Sequence, residues 1–108
     1  MEKQPGLLDV LLEVRANYDE RISFLPYIGE PSVERLLGFV YGYAVACFHH
    51  NIRDSRADEF FLWLRDVKKE FPGQGWHLKF LHDCQGNEKE AVRKLLDFAA
   101  EFAALSSK

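Results

Sequence analysis

Apolar residues recur at a helical period along most of the chain. Leu7, Leu11, Val14 and Tyr18 keep the spacing of one helical face, which Leu8 and Leu12 widen. Asp9 and Glu13 fall on the opposite side, with Glu20 further along the same stripe. Pro5-Gly6 opens this helix at the turn where proline is tolerated. Residues 23–31, SFLPYIGEP, then interrupt the period. Pro26 and Pro31 each disfavour a helical residue before them, and Gly29 adds a turn. The expectation is an ordered loop that tucks Phe24, Leu25, Tyr27 and Ile28 against the core.

From Ser32 to His50 the pattern changes character. No formally charged side chain occurs between Arg35 and Arg53, and apolar residues occupy every face of the helical wheel. A helix that is apolar all round is one that its neighbours cover on all sides. Gly38, Gly42 and Ala46 lie four residues apart on one ridge. Two interior glycines cost about 1 kcal/mol each relative to alanine, which close approach of a neighbouring helix would offset. Replacing Gly42 by leucine is therefore expected to damage folding. Ser32, or Gly29-Glu30 with Pro31 in the first turn, is expected to start this central helix.

Three further helices follow. Ser55 with Asp58 has the layout of a capping box, and Phe60, Leu64, Val67 and Phe71 make a seam that Pro72-Gly73 is expected to stop. Trp76, Phe80, Leu81 and Cys84 suit a short helix, with His77, Lys79 and Asp83 facing out. Asn87 with Glu90 forms a second capping box. The last helix is expected to pack Ala91, Val92, Leu95, Phe98, Ala99 and Phe102, with Glu90–Lys94 and Arg93–Asp97 as i,i+4 pairs on its wet side. The prediction is a single all-α domain over residues 1–108: four main helices and one short helix around a buried central helix at about 32–50.

Composition narrows the function. The 108 residues are 47% hydrophobic and carry a formal charge of −3, which argues against nucleic acid as a partner. Up to Glu34 there are seven acidic and three basic residues, so the excess negative charge lies in the N-terminal third. Cys47 and Cys84 are too few for a disulfide framework, and the start lacks the pattern of a signal peptide, so the expected compartment is the cytoplasm. The glycines, tyrosines and histidines of the central stretch suit a bilayer poorly, and no membrane association is expected.

Candidate chemistry is thin. Cys84 has His82 two residues away and His77 seven away, but no glycine-rich elbow accompanies it. His49, His50, His77, His82 and Cys84 have no metal-ligand spacing. No phosphate or dinucleotide fingerprint occurs. Neither enzymatic activity nor a cofactor nor a metal is expected, and binding is the stronger class.

Arg21, Tyr27-Ile28-Gly29, Ser32, Leu36, Phe39 and Gly42-Tyr43 read R…YIGxxSxxxLxxFxxGY, followed by Phe60-Phe61, Trp63-Leu64, Phe71 and Trp76. This order resembles small bacterial immunity proteins of contact-dependent growth inhibition and related polymorphic toxin systems, over roughly residues 21–76. The resemblance implies an enzymatically silent cytoplasmic protein that binds the C-terminal domain of one cognate toxin, in many cases a nuclease with a basic cleft. An acidic surface would then steer association. Asp9, Glu13, Asp19, Glu20, Glu30 and Glu34 are the expected toxin-binding acids, with Tyr27 as aromatic anchor. The rival classes are a helical adaptor or subunit of a larger assembly, and, more remotely, a Cys84-centred enzyme. Oligomeric state stays open.

Overall fold

The computed structural model describes residues 6–16, 32–70 and 75–106, which form five helices: α1 (Leu7–Ala16), α2 (Val33–His49), α3 (Ser55–Asp66), α4 (Trp76–Asp83) and α5 (Glu88–Ser106). The all-α bundle of four longer helices and one short one is as expected. Tyr18, the 23–31 loop and Phe71 lie outside the described residues.

Most helix starts follow from the residue before them. Ser32 is extended and its hydroxyl accepts from the Arg35 N–H at 3.3 Å, as expected of an N-cap. Glu88 of α5 covers a second orphan donor of α2, accepting from the Val33 N–H at 3.0 Å. Asn87 Oδ1 accepts from the Glu90 N–H at 3.0 Å and so caps α5. The start of α3 is a correction: Asp54, not Ser55, is the cap, accepting from the Ala57 N–H at 3.1 Å. A carboxylate at this position satisfies the donor and also complements the positive helix end.

Helix ends rely on left-handed residues. Asn51 (φ 55°) and Gln85 (φ 56°) follow the caps of α2 and α4. Beyond them Ile52 N–H donates to Cys47 C=O and Gly86 N–H to Leu81 C=O, both at 2.8 Å, which is the Schellman arrangement. Helix α3 ends at Asp66, earlier than the Phe60–Phe71 seam suggests, and Val67 is 63% exposed. The chain beyond it is drawn elsewhere by Trp76, whose indole N–H donates to the Glu70 carbonyl at 2.8 Å.

The core takes Leu7, Leu8, Leu11 and Val14 from α1, Phe60 and Leu64 from α3, Trp76 and Phe80 from α4, and Ala91, Val92, Leu95, Leu96, Ala99 and Phe102 from α5. Each buried leucine or phenylalanine contributes on the order of 1.5–3 kcal/mol. Helix α5 packs against all four others, so the element the bundle closes around is the last helix as much as α2. Helix α2 is buried along one face of its first half, through Val33, Leu36, Leu37 and Val40. Its second half leaves Tyr41, Val45 and Phe48 at 43%, 55% and 79% exposure. The glycine ridge is on the open side: a Cβ added at Gly38 or Gly42 meets nothing within 4 Å. The expected helix–helix contact along that ridge is therefore absent among the described residues, and the folding penalty expected of Gly42→Leu loses its basis.

Several charged side chains tie helices together, beside the i,i+4 pair of Lys79 and Asp83 within α4. Lys94 pairs with Asp83 at 2.9 Å instead of Glu90, and Asp97 pairs with Arg15 of α1 at 3.0 Å. Lys79 joins Glu70 and Asp83, at 2.8 Å each. Its two bonds and those of Lys94 clasp α4 between the end of α3 and α5. Lys79 and Lys94 lower the Asp83 carboxyl to about 2, against a desolvation penalty that acts the other way.

Candidate functional site

One carboxylate joins three helices. Asp54 Oδ2 accepts from the Leu7 N–H at 2.9 Å and from the Tyr43 hydroxyl at 2.7 Å, while Oδ1 accepts from Ala57 N–H. Asp54 therefore holds the first turns of α1 and α3 together and anchors them to α2. Partial burial works against its charge, but the donated hydrogen bonds and the nearby Arg56 outweigh it and hold the carboxyl below its ordinary range. Burial raises the Tyr43 hydroxyl, and its bonds to Asp54 and to Cys47 raise it further, so it stays protonated and a donor. The corner leaves little room: a Cβ at Gly6 would sit 2.9 Å from Asp54 Oδ2.

Beside this junction lies an open groove of about 720 Å³, between the second half of α2, the link 50–54 and the start of α3. Leu7, Ala44, Phe48, Ile52 and Phe61 give it apolar walls, and Tyr43, Asp54 and Asp58 give it polar ones. Phe48 and Ile52 are 79% and 60% exposed. Arg53 and His49 complete the rim. An apolar slot with a few fixed polar groups can take an aromatic or long aliphatic side chain and orient a neighbouring polar one.

The sequence-derived acids separate into two groups around this groove. Asp9 lies at the same corner, accepting from the Gly6 N–H at 2.9 Å and lying 3.8 Å from Arg56 of α3. Glu13 is exposed one turn further along α1. Glu34 is in the first turn of α2, nine residues before Tyr43 and so about 14 Å along the axis from it. It does not belong to the corner. Asp19, Glu20, Tyr27 and Glu30 lie outside the described residues. Residues 7, 43 and 54 carry the junction, and sequence spacing offered no hint of them, because Leu7 and Asp54 are 47 positions apart.

The other candidates are dispersed. Cys84 is half-buried against the core, and the His82 side chain beside it is 92% exposed. Among the described residues no group of three histidine, cysteine or acidic side chains is placed to hold a metal ion. Nor is any described helix long and apolar enough to cross a membrane.

The fold and groove define a small all-α domain with a braced, partly apolar cleft. No protein-family model, no curated protein and no solved structure matches the chain.

Proposed function

We propose that this chain is a protein-binding module whose partner inserts into the groove beside Asp54, and that it is an immunity protein neutralising a cognate toxin domain by stoichiometric association. The groove carries this reading: exposed apolar walls at Phe48 and Ile52 stand next to a corner bearing Asp9, Asp54 and Asp58. The order of residues 21–76 supports the toxin as partner, and the acidic N-terminal third suits a nuclease with a basic cleft. Acids on the rim then speed encounter while the apolar walls hold the bound state. Both cysteines are free thiols, in keeping with the reducing cytoplasm in which such a protein would act.

On this reading a toxin gene is expected directly upstream, and the test uses the C-terminal domain it encodes. Stopped-flow association should slow about tenfold at low salt in an Asp9→Arg, Glu13→Arg, Asp58→Arg triple variant, with the gap closing at high salt. Phe48→Ala should speed dissociation. Unchanged kinetics in both variants would sink the groove as the docking site. No binding by the native chain would sink the toxin assignment.

A further inference from the structure

Three carboxylates meet at the corner of the groove, and each has different company. Asp9 lies 3.8 Å from Arg56. Asp54 takes the donors of Leu7, Tyr43 and Ala57. Asp58 is exposed, lines the groove and, among the described residues, has no ion-pair partner. Of the three, Asp58 is the one left to receive an incoming donor.

The surroundings of Asp58 say which donor fits. Phe61 is three residues further along α3, so its ring and the carboxylate share one helix face, and both line the groove. Trp76 stacks on Phe61, with ring centroids 5.7 Å apart and planes 21° apart, which holds the ring in place. Phe61 is nevertheless only half-buried. A planar guanidinium can lie against such a ring while its N–H fork meets the carboxylate in two hydrogen bonds. An ammonium makes a point contact only. Arg53 repels a cation at the link end of the groove, which leaves the α3 side as the seat. Phe48 on α2 and Ile52 on the link are exposed and apolar. They suit an aromatic or long aliphatic side chain next to the cation in sequence.

We infer that the groove reads an arginine. The partner segment that docks there sets a guanidinium against Asp58 and Phe61, and an adjacent apolar side chain against Phe48 and Ile52. This rests on the groove as a docking site and not on a toxin as the partner.

Amide NMR of the full chain tests it, with three capped dipeptides that pair phenylalanine with arginine, lysine or glutamine. The arginine peptide should shift the amides of Ala44, Phe48 and Phe61 at millimolar concentration. It should bind about fivefold more tightly than the glutamine peptide and about twofold more tightly than the lysine peptide. Asp58→Asn should bring all three to the affinity of the glutamine peptide, with the helical circular dichroism unchanged. Phe61→Leu should remove the difference between arginine and lysine alone. An arginine peptide no tighter than the other two would overturn the inference. So would a preference that survives Asp58→Asn, shifts that map away from the groove, or no shift at all. Equal affinities with shifts confined to the groove would remove the arginine and keep the docking site, so the two readings fail separately. The exposed Asp58→Asn variant decides the matter if Phe61→Leu disturbs folding.

Discussion

Tyr43 and Leu7 share one acceptor: the phenol and the backbone N–H both donate to Oδ2 of Asp54, at 2.7 and 2.9 Å. This joins the middle of α2 to the first residue of α1 through a side chain that also caps α3. Asp54→Ala removes an N-cap, worth about 1 kcal/mol, and strands two further donors, each costing about 1 kcal/mol. Urea unfolding should show a loss of about 2–4 kcal/mol. Tyr43→Phe should cost about 1 kcal/mol, and a double-mutant cycle with Asp54→Ala should be strongly non-additive.

Acid should weaken the fold through two carboxyls. Asp54 lies below its ordinary value and Asp83 is lowered to about 2 from 3.8. Groups depressed in the folded state contribute stability above the unfolded value, and that contribution disappears as pH falls through the folded one. Unfolding free energy should therefore be flat above about pH 5 and fall between about pH 4 and 2. Because Asp83 is partly solvent-screened, its share is about 1 kcal/mol. Asp83→Asn should flatten that part of the slope, and an unchanged acid profile would refute its role.

Glycine positions should respond in opposite directions. At Gly42 a Cβ meets nothing within 4 Å, so Gly42→Ala should raise the stability of the dilute chain by about 0.5–1 kcal/mol through helix propensity. At Gly6 the same change drives a Cβ into Asp54 Oδ2 at 2.9 Å, and the melting temperature should drop. Thermal melts of the two alanine variants check both signs.

Binding and folding should come apart at Phe48. Its ring is 79% exposed, so Phe48→Ala should shift the unfolding free energy by no more than about 0.5 kcal/mol. Calorimetric titration with the toxin domain should nevertheless show affinity lower by about tenfold or more.

The helices were legible in the sequence because a 3.6-residue period, a cap and a stop are local properties. Ser32 and Asn87 act as caps where the chain alone placed them, and the short α4 is a helix as its pattern suggested. Local rules failed where two answers were locally equivalent. Asp54 and Ser55 are both good caps, and only the Leu7 N–H and Tyr43 hydroxyl, brought in by packing, favour the aspartate. Lys94 had an acid one turn away at Glu90, yet Asp83 of α4 holds it. A helical wheel could not say which side of α2 faces inward, because apolar residues lie all round it. The sequence by itself determined that α2 is a helix with apolar residues all round it. Tertiary structure decided that one face joins α4 and α5 and that, among the described residues, the other is left uncovered, because burial is set by where the neighbouring helices lie rather than by the residues of one helix alone.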